Sequence, residues 1–204
     1  MKTSIKTVLA TSMIMALLAG VLLAQSFDTT KFSFPMVRNA ALPAGVLPNA
    51  KAQVIIKSIG TVEIMTVVVS GLPANTDFDF FVIQVPTAPF GLSWYQGDVE
   101  TDGHGNAIQE FIGRFSVETF IVAPGVASAP NTMPNGPFPD ATTNPKTAPV
   151  QLYHLGMWFN NPADAVKAGA PGTVTPFNGE HNAGVQVLNT SNFPTLGPLF
   201  HVRP

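Results

Sequence analysis

The stretch KAQVIIKSIGTVEIMTVVVS, residues 51–70, decides how this chain folds. Residues 52–59 and 61–70 read as two strands with Gly60 between them. Val54, Ile55, Ile56, Val62, Ile64, Val67, Val68 and Val69 are branched at Cβ, which stiffens χ1 and suits a pleated sheet better than a helix. The segment around Val62–Val69 is expected to be a central, buried strand, because an exposed edge of this composition would pair with other chains.

Working outward, residues 77–85 form a third strand. Asp77 and Asp79 alternate with Phe78 and Phe80, the period-two mark of a half-buried strand. Residues 90–100 form a fourth, carrying Trp94 and Tyr95. Asp102-Gly103-His104-Gly105-Asn106 is a turn, since Gly and Asn tolerate positive φ. One or two further strands follow over residues 107–122. On the N-terminal side, residues 27–50 are irregular, with Phe27, Phe32 and Phe34 marking one edge strand and Leu42-Pro43 and Leu47-Pro48 marking turns or spacer.

Residues 123–149 differ in character. Seven prolines stand there among Ser, Thr, Asn and Gly, which excludes helix and central strand and gives a long Pro-rich connection. Residues 150–159 return to strand composition, with Tyr153, His154 and Trp158. The convincing helix covers residues 161–169: Asn161 can cap, Pro162 suits the first position, Asp164 and Lys167 complement the dipole, and Gly169 stops it. Residues 184–188 are a short final strand, and no repeat of fixed period occurs. The C-terminal residues 150–204 are expected to join the same domain as the β core of 51–122.

Charged residues make up 11 % of the chain, against roughly 25 % in ordinary soluble proteins. Lys2 and Lys6 precede an apolar run over residues 8–24, and Ala24-Gln25-Ser26 satisfies the small-x-small rule, so residues 1–26 read as a secretory signal peptide. Cutting after Ala24 is the close alternative, and retention as a membrane anchor the other reading. With the leader gone, no transmembrane segment is expected, and eight basic residues face twelve acidic ones. This argues against nucleic acid or an anionic membrane surface as partner, since both call for a basic patch. The expected location is extracellular or periplasmic. There is no cysteine, so neither a disulfide nor a lipid-anchored cysteine is possible. A mature chain of about 180 residues can bury a sufficient core without one.

Gly71-Leu72-Pro73-Ala74-Asn75-Thr76-Asp77-Phe78 follows the valine-rich strand and leads into the next. This resembles the E–F corner of fibronectin type III and related immunoglobulin-like sandwiches, where a Gly-Leu pair, a proline and a threonine lead to a tyrosine. The spacing from Leu72 to Phe78 and the place of Thr76 fit. Pro73 sits one position early, and Phe78 lacks the hydroxyl of a tyrosine corner. The resemblance covers about 15 residues and implies a fold, not a function. The expected fold is therefore mainly β: an antiparallel immunoglobulin-like β-sandwich with a long Pro-rich loop and one short C-terminal helix.

Four constellations carry candidate chemistry. Asp98, Glu100 and Asp102 alternate before Gly103, like the opening of a calcium loop. The twelfth position holds Gln109, with Glu110 one late, so a hairpin turn with solvated acids is the plain reading. His154, Glu180 and His181 could hold zinc if they converge, although none shows ligand spacing; His104 and His201 complete the histidines. Trp94, Tyr95, Tyr153, Trp158 and Phe159 offer stacking surfaces for sugars or apolar ligands, against the plain reading of core filling. Asp77 and Asp79 share a strand face and have the residue types of a glycosidase pair, but two exposed acids keeping a strand soluble is the simpler reading. No nucleophile elbow or phosphate cradle is present. The expectation is a secreted or cell-envelope structural or binding module without catalysis, needing no cofactor, whose partner is an extracellular ligand or envelope component, with self-association open. The alternative is a metal-binding, metal-dependent secreted protein using calcium or zinc.

Overall fold

The structure, a computed structural model, describes residues 31–115, 119–120, 150–176, 181–194 and 196–202. The leader over 1–26, the Pro-rich connection over 123–149 and Glu180 lie outside them.

The chain is mainly β. Its principal strands are β1 (Lys31–Arg38), β2 (Lys51–Ile59), β3 (Val62–Ser70), β4 (Asp77–Ile83), β5 (Ser93–Glu100) and β6 (Ala107–Gly113). Two-residue strands β7 (Thr119–Phe120) and β8 (Val150–Gln151) pair with each other. Then come β9 (His154–Phe159), helix α1 (Pro162–Lys167), the short pair β10 (Thr175–Pro176) and β11 (Asn182–Ala183), and β12 (Gln186–Asn189). A 3-10 turn over Pro198–His201 follows.

Eight of these strands make one antiparallel sheet in the order β5-β4-β9-β12-β1-β2-β3-β6. It curls until its two edges, β5 and β6, come back into contact, so the sheet is nearly a barrel. Strand β9 hydrogen-bonds to β4 on one side and β12 on the other, so the ladder runs unbroken from β5 to β6. The sheet also draws on residues well outside 51–122, since β1, β9 and β12 are all members.

Burial alternates along the two strands of residues 51–70, and this orients the wall. Val54 and Ile56 of β2 and Met65, Val67 and Val69 of β3 point inward and are fully buried. They meet Phe78, Phe80 and Val82 of β4 and Leu155, Met157 and Phe159 of β9 in one core. The seam is packed rather than bonded: Phe111 of β6 lies against Gly97 of edge strand β5 and stacks on Phe80 of β4, centroids 5.3 Å apart and planes 13° apart.

The expected edge strand around Phe32 and Phe34 is β1, and it lies inside the sheet, between β12 and β2. Pro35 tolerates this because β12 pairs with β1 only at Val37 and Arg38. The missing proline N–H therefore falls beyond the end of β12, where no ladder bond is lost. The corner over residues 71–78 is tied to the following turn, with Thr101 Oγ1 donating to Pro73 O at 2.7 Å and accepting from Thr76 N at 2.9 Å. Gly105, at φ +74°, belongs to that turn, and a Cβ there would stand 1.9 Å from Leu72 O. Helix α1 has the expected cap, Asn161 Oδ1 accepting from Asp164 N at 2.9 Å.

Candidate functional site

The outer face of β4, β5 and β9 carries the chemistry-bearing side chains. On β4 the outward positions are Asp77, Asp79, Phe81 and Ile83. Across the ladder Asp77 faces Glu100, Asp79 faces Asp98 and Phe81 faces Tyr95. On the other side Asp79 faces Trp158. The sheet thus sets two acid pairs beside an aromatic row. Tyr95 packs on Phe81 with centroids 5.5 Å apart, Phe81 on Trp158 at 5.2 Å, and Phe90 on Trp158 at 4.9 Å.

Two devices hold that row. The loop after β4 folds back, with Gln84 N donating to Leu92 O and Val85 N to Phe90 O, which delivers Phe90 to the indole. Beneath the indole lies Gly156, where a Cβ would stand 2.4 Å from Trp158 Cζ3. Above, Ala183 of β11 packs against Ile83 and Trp158 in a small second cluster. The indole Nε1–H is buried with no hydrogen-bond partner among the described residues.

Asp79 is where the structure departs most from the sequence reading. Asp77 is exposed as expected, but Asp79 is fully buried. Neither of its carboxylate oxygens has a hydrogen-bond partner among the described residues. His181 Nε2 approaches Oδ2 at 3.6 Å, an ionic contact beyond hydrogen-bond reach. Burial pushes the Asp79 carboxyl up to about 6, His181 pulls it back, and Asp98 and Asp77 add to the rise. Two acids in sequence signal solvent exposure. Nothing local announces that one of them will be buried beside a histidine about a hundred positions later.

The remaining candidates are dispersed. Asp98 accepts a hydrogen bond from Tyr95 Oη at 2.5 Å. Asp102 Oδ1 accepts from His104 N at 2.8 Å and Asn106 N at 2.9 Å, and these two amides hold its carboxyl below the usual carboxylate range. That oxygen therefore closes the turn, as the hairpin reading expects, and Glu100 is exposed on the strand. His154 is buried, its Nδ1 2.9 Å from Thr190 Oγ1. It sits four residues along β9 from the Trp158 position that faces Asp79, roughly 13 Å at strand rise. His154 and His181 thus belong to opposite ends of β9. Among the described residues no three His, Asp or Glu side chains gather as metal ligands.

Of the aromatic candidates, Trp94 is 52 % exposed and Tyr95 36 %, both on edge strand β5. Trp158 and Phe159 are buried. Tyr153 lies elsewhere, edge-on to Phe200 at 5.5 Å, and burial pushes its hydroxyl up from the ordinary value. His201 packs near Phe32, and His104 is exposed in the turn. Phe81 and Phe90, which the sequence reading passed over, are the residues that link Tyr95 to Trp158. Phe81 could have been found from its register, since it falls on the same face as Asp77 and Asp79. No protein-family model, no curated protein and no solved structure matches this chain.

Proposed function

We propose that this protein is a secreted or cell-envelope binding module without catalytic activity, working extracellularly or in the periplasm after its leader is removed. Its ligand is an envelope or extracellular component that presents a sugar-like surface. The supporting observation is the exposure of Trp94 and Tyr95 on an edge strand, with Tyr95 on the same outer face as Asp98 and Glu100 and Trp94 in register with Val82. A large aromatic held half in water forgoes burial energy, so its exposure is more informative than an exposed aliphatic. Aromatic rings stack on the apolar faces of sugar rings, while neighbouring carboxylates accept from hydroxyls. Kinship with immunoglobulin-like sandwiches belongs to the same proposal and rests on the corner at residues 71–78.

The test is a glycan array and titration calorimetry on the chain from residue 27, with Trp94→Ala and Tyr95→Ala alongside. Binding that falls at least about ten-fold in either variant, with an unchanged circular-dichroism spectrum, supports the proposal. No glycan bound, or binding indifferent to both rings, overturns it. N-terminal sequencing of exported protein checks the address: a start at Phe27 or Gln25 is expected, and an intact leader in cytoplasmic protein refutes it.

A further inference from the structure

Aliphatic side chains stand in water along the outer wall of β2, β3 and β6. Ile108 and Ile112 are 72 % and 73 % exposed, more than any other large hydrophobic side chain among the described residues. Beside them in register on β3 lie Val68 and Ile64, both half-buried, and Ile55 of β2 stands beside Thr66. Single exposed aliphatics are ordinary, but these five share one wall. Sheet propensity alone is met as well by threonine, which holds the middle position at Thr66. The wall also has flanks of opposite charge. On the β2 side Lys51 and Lys57 are exposed on the outward face. On the other side stand Glu110 of β6 and, across the packed seam, Asp98 and Glu100 of β5, all exposed. Strand β2 holds no acid, and neither β5 nor β6 holds a base.

We propose that this wall is the interface of a homodimer whose two-fold axis runs parallel to the strands, between β3 and β6. Sheets packed face to face keep their strands nearly aligned. With that axis each β3 lies on the partner's β6, so Ile64 meets the partner's Ile112 and Val68 meets the partner's Ile108. Strand β2 then lies over the partner's β5, which sets Lys51 and Lys57 against the acidic flank. The occupant is a second copy because the wall is complementary to itself. An isologous contact brings the same patch together twice, and this rotation exchanges the two flanks while keeping the aliphatic middle in register. The charges also choose the axis. A two-fold across the strands would stack lysine on lysine and acid on acid, and like charges facing each other cost several kcal/mol. An anionic ligand would meet the acids, and a cationic one the lysines; a second copy satisfies both. An apolar middle with a charged rim is the usual anatomy of a protein interface.

The test is sedimentation velocity on the exported chain from about 1 to 100 µM, where a monomer–dimer equilibrium is expected. Ile112→Asp, at a position that the core does not use, is expected to weaken it at least about thirty-fold. The double variants Lys51→Glu/Lys57→Glu and Glu100→Lys/Glu110→Lys each carry two flanks of one sign. Each alone is expected to stay monomeric, and an equimolar mixture of the two to form a heterodimer. Circular-dichroism spectra matching the parent confirm that the variants fold. A parent that is monomeric at about 100 µM overturns the proposal, whether another segment of the chain or a different protein covers the wall. A dimer that Ile112→Asp leaves intact overturns it too, as does a mixture that stays monomeric, and assembly beyond two copies overturns the two-fold. None of these outcomes depends on a glycan, which separates the dimer from the proposed binding role.

Discussion

Gly156 and Asp79 are the residues on which the outer face turns, and each yields an expectation. The indole of Trp158 occupies the space a side chain at 156 would need. Gly156→Ala is expected to cost about 1–3 kcal/mol through overpacking, with Trp158 fluorescence shifted toward that of a wetter indole. A urea melt with an unchanged midpoint would contradict this. Asp79 has a folded value raised to about 6, above its ordinary one. Its contribution to stability is therefore complete below the unfolded value and is lost as pH rises through about 6. Asp79→Asn is expected to be more stable than the parent by about 1–2 kcal/mol at pH 7.5, the gap closing below about pH 4. Urea melts at both pH values check the sign. Equal stability at pH 7.5 would show that the buried charge is well solvated after all.

At the scale of single elements, helix α1 is the clearest case of local specification. Asn161, Pro162, Asp164 and Lys167 occupy the positions that helix ends demand, and hydrogen bonds from Lys167 and Asn161 hold the Asp164 carboxyl below its ordinary value. Asn161→Ala is expected to cost about 1 kcal/mol, read as a lower thermal midpoint with the sheet signal intact at room temperature. The strands β2 and β3 were equally legible, because their β-branched residues, Val54-Ile55-Ile56 and Val67-Val68-Val69 among them, are stiff at χ1 and suit a pleated sheet. Strand β1 was legible as a strand but not as an inner one. Its proline argues for an edge, and only the shortness of β12 beside it removes the objection. Similarly, the turn at residues 102–106 could be read from composition, whereas the tie between Thr101 and the 71–78 corner required both to be placed.

For the whole molecule, the closure of the curled sheet depends on side chains at its seam. Phe111 of β6 reaches past Gly97 of β5 to stack on Phe80 of β4, without a hydrogen-bonded ladder between β5 and β6. Phe80→Ala is expected to cost about 3–5 kcal/mol, and more than a comparable truncation on the outer face at Ile108, which is 72 % exposed. Chemical denaturation of both variants checks the order, and a larger loss for Ile108→Ala would mean that closure does not carry the stability. The candidate site was only partly readable. Asp79, Asp98, Tyr95, Trp158 and His181 were all noticed, but in four separate groupings. Each grouping followed chain proximity or residue type, while the structure assembles them by register across three strands and by the late arrival of His181.

By itself the chain determined that it is mainly β, the neighbourhoods in which β2 to β5 and the short helix lie, and that no thiol chemistry is available. These follow from backbone sterics and short-range periodicity, which act over a few residues. Tertiary structure alone decided that one continuous sheet curls on itself, that Asp79 is buried beside His181, and that Trp158 is buried while Trp94 stands in water. Those outcomes depend on contacts between segments up to a hundred residues apart, whose loop-closure cost and shared burial no local pattern encodes.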